Sequence, residues 1–377
     1  MNLLRSYYVL CKPNVVYMML ICALVGMLLA EESVTSVTNI VVALIGIALC
    51  SGSAAAINQV IDRKADAAMT RTDQRPLPQG ELSATHASSF AFVIGVAGAL
   101  VLYLYINTLT MILTIASLIG YAFIYTVYLK RATPQNIVIG GLAGAAPPLL
   151  GWAAISNTID PYALLLVLII FVWTPPHFWA LAIYRKDEYA KESIPMLPVT
   201  HGVAFTKLQI VLYTIILFIV SILPYIVLMS GGIYLISAVI LSSMFMYYSI
   251  KLYFSSDDEI AMKTFNFSIY YDFYVPVAAV SLLYFELVLG LLLYYLHMNK
   301  LENFISQTNA NDYFSSRFWA VEHTILMFFA IIFGHLGLVY AKNLKNSAAK
   351  FKKNFIYFGL SFVLIMISLL MNIPNNA

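Results

Sequence analysis

Charged residues are scarce in this sequence. Asp, Glu, Lys and Arg make up only 10% of its 377 residues, whereas 61% of the residues are hydrophobic. A soluble domain carries roughly 25% charged residues, so this composition excludes an ordinary soluble fold. The net charge of +3 says little by itself, because the distribution of charge matters more than its sum in a protein of this kind. We expect no nucleic-acid partner.

Cysteine is also rare, and no targeting segment is evident. Cys11, Cys22 and Cys50 form no CxxC pair and lie in or beside apolar segments, which favours small core residues over disulfides or metal ligands. The first residues, MNLLRSYYVLCKPN, lack the apolar region and cleavage site of a secretory signal, and they do not resemble an Arg-rich transit peptide. We therefore expect the chain to lie in a bacterial plasma membrane.

Long apolar runs, in contrast, recur along the whole chain. Each is long enough to cross a hydrocarbon layer about 30 Å thick, and backbone groups in lipid must be satisfied within a helix. The sequence predicts an all-α, polytopic transmembrane helical bundle. The eleven predicted spans are 14–30, 40–61, 86–106, 109–129, 136–153, 161–184, 206–229, 232–254, 265–296, 319–341 and 354–373.

The predicted spans divide into two parts. Residues 1–270 form a core of about nine helices, and residues 271–377 form a C-terminal membrane extension of unknown role with about two further helices. The segment 265–296 is too long for one ordinary span, so we predict one helix that is tilted or kinked at Pro276 and carries the last core helix to residue 296.

The distribution of positive charge predicts the orientation. With the N-terminus in the cytoplasm, 19 of the 21 Lys and Arg residues fall on the inside, and only Lys300 and Arg317 lie outside. This asymmetry follows the positive-inside rule. The two long polar loops at 62–85 and 185–205 are then both cytoplasmic.

The second span ends in a first polar cluster. Asn58, Asp62 and Asp66 are spaced i, i+4 and i+8, which places them on one helix face. Carboxylate and amide oxygens suit Mg²⁺, which fills its other positions with waters and substrate phosphates. Arg71 and Arg75 follow and could neutralise diphosphate oxygens. A solvated helix end is an alternative explanation for Asp66, but Asn58 lies a turn deeper, where a polar group is costly.

The sixth span carries a second polar cluster, and it ends at the same face. His177, Tyr184 and Glu188 are spaced i, i+7 and i+11. Two acidic clusters that face each other would suit a pair of Mg²⁺ ions bridging a diphosphate. A lone membrane histidine is more often a hydrogen-bonded core residue, and the aromatic residues here could belong to an interfacial belt. Lys130 and Arg131 are either orientation determinants or phosphate contacts.

At these residues the sequence resembles the UbiA family of intramembrane prenyltransferases, and within it the haem O synthases. The resemblance spans roughly residues 10–270. The matching segments are Asn58-xxx-Asp62-xxx-Asp66 with Arg71-Thr-xx-Arg75-Pro-Leu-Pro, Tyr128-Leu-Lys130-Arg131 through Asn136-Ile-Val-Ile-Gly-Gly, Gly144 through Trp152, and Trp173 through Pro198. Quinone-precursor relatives carry a second Asp-rich motif where this chain has Thr-Pro-Pro-His177-Phe-Trp.

The resemblance implies a chemistry and assigns roles to residues. Farnesyl diphosphate would ionise at a Mg²⁺ site, and a vinyl group of haem b would attack the carbocation before water adds, giving haem O. His177 would position the porphyrin or assist proton transfer. The implied metal ligands are Asn58, Asp62, Asp66, Asp187 and Glu188, and the implied substrate contacts are Arg63, Arg71, Arg75, Lys130, Arg131, Tyr184, Arg185 and Lys186. Possible protein partners are haem A synthase and oxidase assembly factors.

About 100 residues follow the region of resemblance. His323 and His335 suggest haem ligation, but a separation of twelve residues puts them about 18 Å apart along a helix, so each would need a partner elsewhere, and only His297 is near. Glu286, in mid-span, is a candidate functional residue, and a protonated structural role is the alternative. The segment could also support oligomerisation or the transfer of haem.

Two other functions are open at this point. The first is a UbiA relative with a quinone-precursor acceptor, against which the 173–198 stretch argues. The second is a transporter. Transport sites lie near the midplane at broken helices, whereas the charges here gather at one membrane face.

Overall fold

The computed structural model describes residues 3–30, 36–70, 72–257 and 259–279, together with the single positions 360 and 363. Several predictions fall outside these residues. They are the substrate contact Arg71, the residues Glu286, His297, His323 and His335, the segment 280–296, and the spans 319–341 and 354–373 apart from those two positions.

All regular structure in the described part of the chain is helical, as predicted. The helices are α1 (Leu3–Leu10), α2 (Pro13–Leu29), α3 (Val37–Ala68), α4 (Ala84–Tyr105), α5 (Thr108–Ile119), a π-helical segment (Gly120–Leu129), α6 (Lys130–Ala132), α7 (Asn136–Ala145), α8 (Pro147–Ser156), α9 (Pro161–Tyr184), α10 (Lys186–Lys191), α11 (Leu197–Thr200), α12 (Val203–Ile226), α13 (Gly232–Phe254) and α14 (Glu259–Ala279).

The described helices include the eight spans predicted between residues 14 and 254. Seven continuous helical stretches are long and apolar enough to cross a bilayer, and α1 and α2, which meet at 49°, make an eighth. The chain is therefore a multi-pass membrane protein. The ninth predicted helix begins at Glu259 rather than 265, and α14 continues through Pro276 to Ala279.

Small residues let the helices pack closely. A Cβ on Gly151 would lie 1.8 Å from the carbonyl oxygen of Ala23, and one on Gly26 would lie 2.0 Å from that of Pro148. The backbones of α2 and α8 thus touch, as is common between membrane helices. Between α3 and α4, the Ser53 hydroxyl donates to the Ala91 carbonyl at 2.7 Å. None of the three cysteines forms a disulfide.

The helices alternate in direction, so several connections gather at one end of the bundle. We call this end the motif face, and it carries Lys12 and the connecting residues 69–70, 72–83, 133–135, 185–202 and 255–257. The predicted polar loops both lie here. Lys207, near the start of α12, holds the last of these connections, because its ammonium donates to the Ser255 carbonyl at 2.6 Å.

Candidate active site at the motif face

The first polar cluster lies together at the motif-face end of α3. Asn58, Asp62 and Asp66 are only 5%, 2% and 5% exposed. The Asn58 amide donates to the Asp62 carboxylate at 3.0 Å, which fixes the two side chains against each other along the helix. Buried carboxylates need compensating charge, and here the compensating cations come from other segments.

Three basic side chains converge on this cluster from three parts of the chain. Lys130 lies 2.6 Å from the Asp62 carboxylate, and Arg75 lies 2.6 Å from that of Asp66. The Lys12 ammonium donates to the Asn58 side-chain oxygen at 2.5 Å. The structure thus brings Arg75 and Lys130, two of the predicted substrate contacts, to the first polar cluster.

Lys12 is a site residue that the sequence argument missed, because it was counted only as an orientation charge. Its backbone has a φ of 50°, which is uncommon for a residue other than glycine. The residue lies between α1 and Pro13, the first residue of α2. This bend between the two helices directs the ammonium toward α3, and no sequence motif signals it.

The π-helical segment supplies two further residues that were not predicted. Thr126 is 1% exposed; it accepts from the Asn58 amide at 3.1 Å and donates to the Tyr121 carbonyl at 2.8 Å. The Tyr121 hydroxyl accepts from Lys12 at 3.5 Å. π-Helical turns are rare and frequent at functional sites. Here the segment orients Asn58, because both amide hydrogens have an acceptor and the amide oxygen faces Lys12.

The donor set of this cluster fits Mg²⁺. The second carboxylate oxygen of Asp62 is buried and has no hydrogen-bond partner among the described residues, although buried polar atoms are usually paired. Within the same residues, no group of three or more His, Cys, Asp or Glu side chains has metal-binding geometry. Mg²⁺ typically uses only one or two carboxylates and completes its shell with waters and substrate phosphates. Asp62 and Asp66 meet that requirement.

Among the described residues, no ion pair joins the acidic residues of the second cluster to α3. Asp187 and Lys186 are exposed on the short helix α10. Glu188 is paired with Arg185 at 2.5 Å, and Arg185 in turn lies over the ring of Tyr184, which is 42% exposed. The roles of these five residues therefore remain predictions.

The loop that follows α10 does approach α3, but through other residues. Glu192 and Ser193 line a cavity of about 540 Å³ together with Arg63 and Arg131. These two arginines are among the substrate contacts that the family resemblance implies. They lie around this separate cavity, whereas Arg75 and Lys130 contact the buried carboxylates.

His177 lies in an aromatic layer between α9 and α14. Its ring stacks on Trp173 at 4.3 Å and on Phe265 at 4.6 Å between centroids, and its Nδ1 lies 2.6 Å from the Ser268 hydroxyl. Because that hydroxyl donates to the Phe265 carbonyl at 2.6 Å, its remaining capacity is as an acceptor, so the hydrogen of His177 belongs on Nδ1. Nε2 then carries the free lone pair. The predicted catalytic role of His177 is not decided by this placement.

With the geometry described, comparison with known proteins places the chain in a family. The family model of the UbiA prenyltransferase family matches residues 19–271. The chain belongs to the UbiA prenyltransferase family. It is therefore a prenyltransferase-type membrane enzyme rather than a transporter, and the described UbiA fold carries the buried cluster on α3.

Particular relatives agree with this membership. The chain is 59% identical over 265 residues to "Protoheme IX farnesyltransferase 2" of Pseudoalteromonas atlantica (strain T6c / ATCC BAA-1087), covering 70% of this chain and 87% of the relative. Among solved structures, one of digeranylgeranylglyceryl phosphate synthase has a TM-score of 0.63 at 21% identity and covers 74% of this chain and 98% of its own. A UbiA homolog from Archaeoglobus fulgidus bound to DMAPP and Mg²⁺ has a TM-score of 0.54 at 17% identity, covering 73% and 99%.

Proposed function

We propose that this chain transfers a farnesyl group from farnesyl diphosphate to haem b, with addition of water, to give haem O and diphosphate. The observation that carries the proposal is the 59% identity, over 87% of its length, to a relative named for protoheme IX farnesyl transfer. The Trp173–Pro198 stretch supports the same acceptor, since it differs from the second Asp-rich motif of quinone-precursor relatives.

The α3 cluster would hold the metal. Asp62 offers a buried carboxylate oxygen without a partner among the described residues, and Asp66 and Asn58 lie on the same helix face. A protein of the same fold has been solved with DMAPP and Mg²⁺. When bound, Mg²⁺ would withdraw charge from the diphosphate and so weaken the allylic C–O bond.

The three cations around the cluster would receive the leaving group. As the C–O bond breaks, the electron pair leaves with the diphosphate, and Lys12, Arg75 and Lys130 stabilise the developing negative charge. Their present contacts with Asn58, Asp66 and Asp62 hold them in place before substrate binds. Such preorganised charge is usually a large part of catalysis, because no reorganisation is needed during the reaction.

The acceptor steps would take place in apolar surroundings. A vinyl carbon of haem b forms the new C–C bond with the allylic cation, water adds to the resulting benzylic-type cation, and one proton leaves. Trp173 and Phe265 contribute aromatic walls that keep water from the first cation. His177 is our candidate either for positioning the porphyrin or, through Nε2, for taking the proton. The predicted metal ligands Asp187 and Glu188 are proposed to approach the diphosphate from α10, together with the predicted substrate contacts Tyr184, Arg185 and Lys186 beside them.

We place the enzyme in a bacterial inner membrane with the motif face in the cytoplasm. The support is the count of basic residues, since 19 of 21 fall on that side in the topology predicted from the sequence. Haem A synthase and oxidase assembly factors are the proposed partners, because haem O is an intermediate that a second enzyme must use. The division into a core of residues 1–270 and an extension of residues 271–377 also remains a proposal, and the family match ends at residue 271.

Purified full-length protein in nanodiscs, supplied with farnesyl diphosphate, haem b and Mg²⁺, tests the proposal. Mass spectrometry should detect haem O, and chelation of the metal should abolish it. A prenylated product formed only when 4-hydroxybenzoate replaces haem b would contradict the proposal and favour a quinone-precursor acceptor.

A further inference from the structure

A basic cavity lies at the motif face, and none of its lining residues belongs to the cluster of Asn58, Asp62 and Asp66. It measures about 540 Å³, which is within the usual range of about 300–1,000 Å³ for small-molecule sites. Arg63 and Lys64 of α3, Arg131 of α6 and Glu192 after α10 provide its charged groups, and Ile61 and Ile194 provide apolar wall. Three segments distant in sequence thus build one concave surface.

The helix geometry separates this cavity from the metal cluster. Neighbouring residues on a helix point about 100° apart, so Asp62 and Arg63 face different directions although they are adjacent in sequence. Lys130 and Arg131 of α6 also point in different directions, since Lys130 contacts Asp62 and Arg131 lines the cavity. The basic residues of the motif face therefore form two sets with two different environments.

The cavity has an unbalanced positive charge. Its three cations face one carboxylate, Glu192, and none of these four side chains takes part in an ion pair with any residue that the structure describes. Arg63 makes only a hydrogen bond to the Val60 carbonyl at 2.9 Å. Two net positive charges thus remain for a ligand. Guanidinium groups bind carboxylates and phosphates through paired hydrogen bonds.

We propose that this cavity binds the two carboxylates of the porphyrin acceptor. The proposal rests on the proposed function, which makes haem b the acceptor. Haem b has two propionates on one half of the ring and its vinyl groups on the other. Two negative charges match the net charge of the cavity, and the isoleucine walls suit the edge of an apolar ring. Binding there would leave the vinyl half directed away from the cations.

Substitution of the cavity cations tests this assignment. The variants are Arg131→Gln and the double variant Arg63→Gln/Lys64→Gln, with Lys191→Gln as the matched control, because it removes one positive charge from the exposed end of α10 outside the cavity. Each full-length protein, in phosphatidylcholine nanodiscs, is assayed for the KM of haem b and of farnesyl diphosphate. Haem b binding without farnesyl diphosphate is measured separately by the change in Soret absorbance.

We expect Arg131→Gln to weaken haem b binding and raise its KM about 10-fold, the effect of losing one charge-assisted hydrogen bond. The double variant removes two cations, so its effect should be about 100-fold. The KM of farnesyl diphosphate and the behaviour of Lys191→Gln should not change. Haem b dimethyl ester, which lacks both negative charges, should bind the wild-type protein weakly and be unaffected by the substitutions.

Three results would overturn the proposal. A rise in the KM of farnesyl diphosphate alone would assign the cavity to phosphate. A difference that appears only in nanodiscs containing phosphatidylglycerol would assign it to a lipid headgroup. No difference from Lys191→Gln in any measurement would leave the cations as orientation determinants. If the proposed function itself fails, wild-type protein makes no haem O, and the Soret titration still reports whether the cavity binds the porphyrin.

Discussion

Asn58, Asp62 and Asp66 lie buried at the end of α3, and each contacts a cation that comes from another segment. Asp187 and Glu188 lie on a short helix at the surface, and Glu188 has only a local ion pair with Arg185. Both groups are acidic, both follow a transmembrane helix, and both lie at the motif face. They differ in what surrounds them, and that difference decides how each can contribute to binding a metal and a diphosphate.

A buried carboxylate is held in position by its neighbours, whereas an exposed carboxylate must move to reach its ligand. The α3 cluster exists before substrate binds, because its charges are already compensated. Residues on α10 would act only if the diphosphate and metal attract them from solvent. The two groups should therefore respond differently to substitution.

The largest effect is expected for Asp62→Asn. This change keeps the size of the side chain but removes the charge that pairs with Lys130 and the free carboxylate oxygen. We expect kcat/KM for farnesyl diphosphate to fall more than about 1,000-fold, or roughly 4 kcal/mol of transition-state stabilisation. The initial rate of haem O formation, followed by mass spectrometry at several farnesyl diphosphate concentrations, gives kcat/KM. Asp160→Asn is the control, because Asp160 caps α9 and asparagine also caps. Near-normal activity in Asp62→Asn would refute the metal role.

Lys12→Met should have the next largest effect. The methionine keeps the length of the side chain and removes the charge that reaches Asn58, so binding of the diphosphate should weaken about 10- to 100-fold. The KM of farnesyl diphosphate is the measurement, with Arg5→Met as control for charge on the same N-terminal segment. An effect on haem b binding without one on farnesyl diphosphate would contradict the placement of Lys12 in the diphosphate site.

Asp187→Asn tests whether α10 contributes to metal binding. If α10 joins the site only with substrate, this change should raise the Mg²⁺ concentration for half-maximal activity about 10-fold and leave kcat at saturating Mg²⁺ largely intact. A titration of activity with Mg²⁺ measures it. A loss as severe as that of Asp62→Asn would show that the two groups are equal partners, and the contrast drawn here would be wrong.

Glu188→Gln should have a small effect. Its ion pair with Arg185 is partly exposed, and exposed pairs contribute about 0–1 kcal/mol. The Mg²⁺ concentration for half-maximal activity should change about fivefold at most. A larger shift would mean that Glu188 leaves Arg185 and coordinates the metal during turnover.

His177→Gln separates a structural role from a chemical one. Loss of the contact with Ser268 should cost about 1–3 kcal/mol and lower the unfolding temperature, and Ser268→Ala should lower it by a similar amount. If His177 takes up a proton, only His177→Gln will also change the pH dependence of kcat. Equal effects of both substitutions on stability with unchanged pH profiles would leave His177 as a positioning residue of the aromatic layer.

Much of the fold follows from the sequence, because transmembrane spans are determined by length, hydrophobicity and charge asymmetry. Seven of the eight spans predicted between residues 14 and 254 are confirmed, and the first, 14–30, corresponds to α2 in the bent pair α1 and α2. The face shared by Asn58, Asp62 and Asp66 was also predictable, since four-residue spacing on one helix fixes it. What the sequence could not provide is the partner of each side chain, because Lys12 and Thr126 reach the site only through a backbone bend and a π-helical segment.

The second polar cluster also shows what residue spacing alone cannot predict. His177 and Glu188 share a helical spacing, but the chain leaves regular geometry after Tyr184, where α9 ends and α10 begins at Lys186. The helical face of His177 on α9 therefore cannot be extended to Glu188 on α10. The loop therefore meets α3 through Glu192 and Ser193, residues to which the spacing gave no role.

The central claim is that the α3 cluster, with Lys12, Arg75 and Lys130, forms the Mg²⁺-diphosphate site. Binding of a non-hydrolysable farnesyl diphosphate analogue, measured by calorimetry with and without Mg²⁺, tests it without turnover. We predict Mg²⁺-dependent binding by the wild-type protein and Asp160→Asn, and affinity weakened about 100-fold in Asp62→Asn. Binding that is equally tight in Asp62→Asn, with the same response to Mg²⁺, would contradict the account.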